Sequence, residues 1–254
     1  MKSFSKFVFL TTLSLILGFS TSAFAQQWTY ELEAYGQLSS INGDAGVGRV
    51  TGVPVDTDFD DILETLEAAA MIHFEAYQGE GWGFALDYGF MDLGADVSSA
   101  RGGVVDATVH QGVFEAMAFN RRESGGSQLD YLIGVRWWDN DLDIAVDPAI
   151  LPGTIEAEVE EDWIDLFVGV RWATELTEDW KFLLRGDVGG LGLQSDFTST
   201  LSGGFQYNMS ENWTLDLQYR ATWVDFEDGS SGSANYFAYD TVTHGPLIGF
   251  IYKF

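Results

Sequence analysis

The chain has 254 residues, no cysteine and a formal net charge of −27, from 12 Lys and Arg against 39 Asp and Glu. This charge excludes nucleic acid as an expected partner, because phosphates would be repelled, and the lack of cysteine excludes disulfides and thiolate metal sites. An aromatic content of 15%, with nine Trp, is too high for an acidic disordered chain, and no Pro- or Ser-rich linker divides the sequence.

The first 25 residues are predicted to be a secretory signal peptide. Lys2 and Lys6 form a basic start, and residues 7–19 form an apolar run that is too short for a membrane helix. Small residues precede the expected cleavage site after Ala25. We therefore expect one mature domain, residues 26–254, in an exported protein.

Strict alternation of apolar and polar residues predicts strands along the rest of the chain. The clearest case is residues 213–223, where every odd position is apolar or aromatic and every even position is polar, small or charged. About 9–11 residues is the length that a tilted strand needs to cross a bilayer. Similar alternation occurs in residues 28–34, 82–90, 129–138 and 163–174.

Aromatic residues at the strand starts give a second, independent signal. Trp28, Trp82, Trp180 and Trp213 each open a predicted strand. An indole ring is favoured at a membrane–water interface, so this phase predicts an aromatic girdle at one end of a barrel.

Counting gives an all-β fold, a transmembrane antiparallel up-and-down β-barrel of ten strands, while eight or twelve strands also fit the pattern. Short connections at 79–81, 124–127, 176–179 and 210–212 alternate with longer ones, which is how bacterial barrels are built. The predicted strands are 28–40, 66–78, 82–96, 104–122, 128–144, 160–175, 180–192, 197–210, 213–227 and 238–254.

The first long connection, residues 41–65, is predicted to be a loop with a short amphipathic helix near 58–66. Phe59, Ile62 and Leu63 recur at helical spacing, and Asp58 can cap the start. The same aspartates offer hard oxygen ligands for calcium, but they match the EF-hand pattern only in part. A solvated acidic loop is the favoured interpretation, so no metal site is predicted.

The last strand resembles the terminal strand of bacterial outer-membrane β-barrels, in the broad sense of small porin-like and OmpA/OmpX-like proteins. Phe250, Tyr252 and Phe254 share one face, and the sequence stops at an aromatic residue. The resemblance implies a Gram-negative cell outer membrane as location. It also implies outer-membrane lipid, lipopolysaccharide and the barrel-assembly machinery as partners, with the terminal strand as assembly signal.

Inward-facing positions on these strands carry opposite charges. Barrels of eight to ten strands are narrow enough for side chains to fill, and an unpaired charge there would be costly. We therefore expect cross-strand pairs between arginines and carboxylates to close most of the lumen. The predicted network comprises Arg136, Arg171, Arg185, Arg220, Glu31, Glu33, Asp87, Asp165, Asp187 and Asp216. Lys181, Glu75 and Glu115 are predicted to face the same interior.

The expected function is a structural or interaction role through acidic outer loops. A narrow, cation-preferring pore for ions or small solutes is the second interpretation, because carboxylates outnumber basic groups. An outer-membrane hydrolase is the third and is disfavoured, because His73, His110 and His244 lie in no recognisable hydrolase motif. No catalytic residue and no cofactor is predicted.

Overall fold

The computed structural model describes residues 28–98, 104–147, 155–233 and 235–254. The predicted signal segment, residues 1–25, lies outside the described residues. The elements are β1 (Thr29–Gln37), β2 (Ser40–Val47), β3 (Val50–Thr57), α1 (Phe59–Thr65), β4 (Leu66–Tyr77), β5 (Gly81–Ser98), β6 (Val104–Ser124), β7 (Ser127–Asp147), β8 (Ile155–Glu175), β9 (Trp180–Gly190), β10 (Phe197–Asn208), β11 (Trp213–Asp228) and β12 (Phe237–Lys253).

Ten of these strands form a closed antiparallel barrel, which confirms the predicted fold and strand number. β1 pairs with β4, strands β4 to β12 pair in sequence order, and β12 pairs back onto β1. Closure leaves no strand edge unpaired around the barrel. No helix in the described part of the chain is long and apolar enough to cross a membrane.

The two ends of the barrel differ. At one end, which we call the short-turn end, tight connections join β4 to β5, β6 to β7, β8 to β9 and β10 to β11. We call the other end the long-loop end. Strands β6, β7 and β8 are each 21 residues long, about twice the length needed to cross a bilayer, so they extend beyond the bilayer at the long-loop end.

The first long connection is not the loop that the sequence predicts, because residues 40–57 form the β2–β3 hairpin. Residues Leu247–Lys253 of β12 pair with β1, and residues Phe237–His244 of the same strand pair with β2. Pro246, which has no N–H to donate, lies where β12 passes from β1 to β2. Two glycines, Gly43 and Gly46, dilute the alternation in β2, so the sequence signal for this strand is weak.

The predicted helix is confirmed as α1. Asp58 caps it by accepting a hydrogen bond from the Asp61 backbone, and the Asp61 side chain accepts one from the Asp58 backbone. Ile62 is buried and packs against Ile41 of β2 and Met91 of β5. The helix is thereby anchored to the barrel at the long-loop end.

Candidate functional site

The lumen near the short-turn end is crossed by four charged side chains, which we call the first tetrad: Glu75, Arg121, Asp130 and Arg171. Arg121 donates from Nε to Asp130 Oδ1 at 2.8 Å and from Nη2 to Glu75 Oε1 at 3.1 Å. Arg171 donates to Asp130 Oδ2 at 2.8 Å and to Glu75 Oε2 at 2.6 Å. Two positive and two negative groups thus form a closed, neutral ring with charge-assisted bonds.

A second tetrad, Glu115, Arg136, Asp187 and Arg185, lies next along the barrel. Arg136, which is completely buried, donates from Nε to Glu115 Oε1 at 2.7 Å and from Nη2 to Asp187 Oδ1 at 3.0 Å. Arg185 Nη2 donates to Glu115 Oε2 and to Asp187 Oδ2, both at 2.8 Å. This ring is also neutral.

Each tetrad is built around a phenylalanine. The guanidinium carbons of Arg121 and Arg171 lie 5.2 and 5.0 Å from the centre of the Phe119 ring, and that of Arg136 lies 5.0 Å from the Phe167 ring. Such contacts add cation–π attraction. The rings fit because glycines face them, since a Cβ at Gly134 would lie 2.6 Å from Phe167 Cζ.

Arg121 and Asp130 belong to the first tetrad but not to the network predicted from the sequence. Arg121 lies six residues after Glu115 on β6, so alternation places both on the inward face. The even spacing of Arg121 and Glu115 was therefore a sequence signal that Arg121 faces the lumen. The signal is weak because a second arginine, Arg122, follows directly and the strand ends soon after, at Ser124.

A further set of hydrogen-bonded side chains lies beside the tetrads on one wall of the lumen. The Tyr35 hydroxyl donates to Asp87 Oδ1 at 2.8 Å, and His73 Nδ1 lies 2.9 Å from Asp87 Oδ2. Arg220 Nη1 donates to the Tyr35 hydroxyl at 3.0 Å. Arg220 therefore departs from the prediction, because its described partner is a phenol and not a carboxylate.

Asp87 and three further predicted carboxylates also depart from the predicted arginine pairs. Asp165 is directly opposite Arg136 in the β7–β8 register, yet it accepts from the backbone and hydroxyl of Ser195 at 3.1 and 2.7 Å. It thereby fastens the β9–β10 connection. Glu33 and Asp216 are both buried and lie beside one another, and one oxygen of each accepts no hydrogen bond from the other described residues.

The last predicted lumen carboxylate, Glu31, lies at the short-turn mouth. It accepts from the Tyr77 hydroxyl at 2.8 Å, and Lys253 Nζ lies 3.2 Å from the same oxygen.

Aromatic side chains roof the lumen at the long-loop end. Trp138, Trp163, Phe226 and Phe237 pack together inside the barrel and are buried. The rings of Trp163 and Phe226 stack with centroids 3.9 Å apart. We call this cluster the aromatic roof. The lumen therefore contains two charged layers and the aromatic roof.

The predicted girdle tryptophans all lie exposed at the short-turn end, from 38% for Trp28 and Trp180 to 65% for Trp82. Trp213 contacts Tyr252, with ring centroids 4.9 Å apart, and Tyr30 stacks on Phe254 at 5.8 Å. Phe250, Tyr252 and Phe254 are exposed on the outward face of the last strand, as is expected of lipid-facing residues.

Carboxylates face one another at the long-loop end, beyond the membrane-spanning part of the strands. Asp225, Asp240 and Asp44 lie directly opposite one another across β11, β12 and β2. Partial burial, with the neighbouring Asp240, Asp196 and Glu227, raises the pKa of Asp225 above its usual value. The same causes, with Asp228 and Asp162 as neighbours, raise the pKa of Glu161.

The structure pairs two histidines with aspartates that are distant in sequence. His73 lies in the lumen with Asp87, and His110 contacts Asp92 across β5 and β6 on the outward face. His244 lies 2.8 Å from the Tyr219 hydroxyl. Among the described residues, no group of three or more His, Asp or Glu has a geometry that could hold a metal ion.

Comparison with solved structures relates this fold to outer-membrane barrels. The chain resembles the outer membrane protease OmpT from Escherichia coli, with a TM-score of 0.53 and 9% identity over 92% of this chain and 99% of that one. Weaker likenesses are to Ail, the attachment invasion locus protein of Yersinia pestis (TM-score 0.39, 10% identity, 89% and 98% covered), and to Neisserial surface protein A (0.35, 13%, 89% and 97%).

These similarities concern the fold alone. No protein-family model matches the chain, and no curated protein matches it in sequence. The resemblance to bacterial outer-membrane β-barrels that the sequence predicts is confirmed at the level of architecture.

Proposed function

We propose that the protein is an integral outer-membrane barrel with a closed, salt-bridged lumen, and that it acts through the acidic surface at its long-loop end. The observation that carries this proposal is the succession of two neutral tetrads and an aromatic roof inside one barrel. In this proposal the predicted signal peptide directs export across the inner membrane, and the barrel then inserts into the cell outer membrane. Its proposed partners are outer-membrane lipid, lipopolysaccharide and the barrel-assembly machinery.

A closed lumen follows from the energetics of the tetrads. Each arginine of a tetrad bonds two carboxylates, and breaking one pair leaves buried charges uncompensated. Ions that crossed the lumen would have to open both rings and pass the stacked rings of Trp163 and Phe226. The interior therefore supports a structural role, with contacts to other molecules made outside.

Single-channel conductance in a planar bilayer tests this proposal. The refolded wild type should be silent, while Arg136→Ala and Arg171→Ala, which each open one tetrad, should leak. Arg122→Ala, which removes an exposed arginine at the short-turn end, is the matched control and should stay silent. Steady conductance of the wild type would contradict a closed lumen.

A narrow cation pore is the second candidate, and the neighbouring buried carboxylates of Glu33 and Asp216 favour it. Two carboxylates side by side can bind a passing cation. The same recordings discriminate the two functions. A pore would give cation-selective openings in the wild type that fall in a Glu33→Gln, Asp216→Asn double variant.

The histidine–aspartate pairs do not lead us to propose a hydrolase. In the described residues, the hydrogen-bond partners of His73, His110 and His244 are Asp87, Asp92, Tyr219 and Asn42. None of these partners is a serine, threonine or other nucleophile of the kind that a histidine base activates.

A further inference from the structure

A cavity lies between the second tetrad and the aromatic roof, and we call it the long-loop cavity. Its volume is about 100 Å³. One part of its wall is apolar, with Met71, Met91, Val113 and Trp138. Another part is charged and carries three arginines and two carboxylates, namely Arg136, Arg185, Arg220, Asp87 and Glu115. The wall is therefore amphipathic and lies within the barrel.

Arg220 differs from the other inward-facing arginines. Arg121, Arg136, Arg171 and Arg185 each form ion pairs with two carboxylates. In the described part of the chain, Arg220 forms no such pair, and it bonds only to the Tyr35 hydroxyl and lies 5.0 Å from the centre of that ring. A guanidinium has five N–H donors, and Arg220, which lines both this cavity and the cavity lined by the first tetrad, gives one of them to Tyr35.

Two further donors belong to residues of the same wall. Trp138 Nε1 and Arg185 Nε have no hydrogen-bond partner among the described residues, but both atoms are buried too deeply to be reached from the cavity. The cavity lined by the first tetrad shares Arg185 and Arg220 with the long-loop cavity, and Glu33 and Asp216 line it as well. These two carboxylates are not among the residues that line the long-loop cavity, so the remaining donors of Arg220 favour a ligand with acceptor atoms on that side.

We propose that the long-loop cavity binds a small amphipathic monocarboxylate, an organic acid with an aromatic or aliphatic body. The carboxylate accepts from Arg220 in a charge-assisted, bidentate pair. The apolar body packs against Met71, Met91 and Val113, as in ligand sites with few polar groups on an apolar wall. This site goes beyond the structural role proposed above and does not depend on whether the lumen conducts.

Calorimetric titration of the refolded protein in nonionic micelles tests the charge at the site. Benzoate should bind, and Arg220→Gln should weaken its binding at least tenfold. Benzamide, a neutral molecule of the same shape, should also bind at least tenfold more weakly than benzoate. Arg122→Gln, which removes an exposed arginine, should bind benzoate like the wild type. Lack of benzoate binding, or equal binding of benzamide or by Arg220→Gln, would overturn the proposal.

Methyl NMR of the wild type locates the ligand without any variant, so it applies even if Arg220→Gln does not fold. In protein labelled at the methionine methyl groups, benzoate should shift the Met71 and Met91 signals in a saturable way. Met117, buried against Phe119 and Phe167, and Met209, exposed at the short-turn end, are internal controls and should not move. Unmoved Met71 and Met91 signals at saturating benzoate, or equal shifts of all four, would show that the cavity is not the site.

Discussion

Acidic side chains have opposite neighbours in the lumen and at the long-loop end of the barrel. In the lumen, Glu75 and Asp130 each bond two arginines at 2.6 to 3.1 Å. At the long-loop end, Asp225, Asp240 and Asp44 face one another across three strands. The tetrad carboxylates of the lumen are thus matched by cations, whereas these aspartates at the long-loop end are placed beside other carboxylates.

The difference follows from the solvent around each group. Opposite charges attract strongly in a low dielectric, and a buried ion without a partner costs several kcal/mol. Water and counter-ions screen exposed charges over about 10 Å at an ionic strength of about 0.1 M. Like charges directly opposite on a sheet still destabilise it slightly. The acidic rows at the long-loop end are therefore tolerated at a small cost to stability.

The largest expected effect comes from removing the most buried cation. Arg136→Leu leaves Glu115 and Asp187 with Arg185 as their only ion-pair partner among the described residues, so it should lower the free energy of unfolding by about 3–5 kcal/mol. The measurement is the urea midpoint, followed by tryptophan fluorescence in lipid vesicles.

Two controls make this test specific. Arg122→Leu removes an exposed arginine and should change the unfolding free energy by less than about 0.5 kcal/mol. Glu115→Leu added to Arg136→Leu restores a balanced pair of charges and should recover part of the loss. A cost below about 1 kcal/mol for Arg136→Leu would mean that water reaches the second tetrad.

A charge placed on the outward face of the barrel tests the cost of an unpaired charge in lipid. Leu217 of β11 lies between Phe205 and Ile248, which are 45% and 46% exposed on the outside of the barrel. Leu217→Arg should cost about 2–4 kcal/mol and impair assembly, because arginine has no partner at mid-membrane depth. Leu217→Ala is the control for lost packing, and equal urea midpoints for both variants would contradict the assigned facing of β11.

Alternation was sufficient to predict the ten strands, because each has one apolar face and one small or polar face. It also placed Arg136, Arg171, Glu31 and Asp187 inward, since facing depends only on odd and even positions. The β2–β3 hairpin was missed because its strands contain three glycines and because β2 pairs with residues Phe237–His244 of β12, which are distant in sequence.

Partner choice within the lumen could not be predicted from alternation. Asp165 lies directly opposite Arg136 in the register, but Arg136 turns to Glu115 on the other neighbouring strand and Asp165 turns to Ser195. Such choices depend on side-chain rotamers and on the course of the β9–β10 connection. The two histidine–aspartate pairs also depend on strand register, which joins residues 14 and 18 positions apart.

A smaller effect is expected at the cap of α1. Asp58→Ala removes the side chain that accepts from the Asp61 backbone, which should cost about 1 kcal/mol of local stability. Hydrogen exchange of the α1 amides would measure this cost, with the amides of β10 as a reference. Asp58→Asn keeps an acceptor and should leave exchange nearly unchanged, while equal exchange in Asp58→Ala and the wild type would show that the cap adds nothing.

The smallest effect should come from relieving one acid–acid contact at the long-loop end. Because the pKa of Asp225 is raised in the folded state, this carboxylate costs stability above that raised pKa and the cost disappears as it becomes protonated. Asp225→Asn should therefore melt slightly higher than the wild type at neutral pH, by less than about 2 °C. The gain should shrink as the pH falls through the raised pKa and as salt rises to about 1 M, where the screening length falls to about 3 Å.

The control is a variant of an exposed acid at the short-turn end. Glu211→Gln should show no such pH dependence of the melting temperature. A gain that persists at low pH and high salt would assign the effect to packing and not to charge.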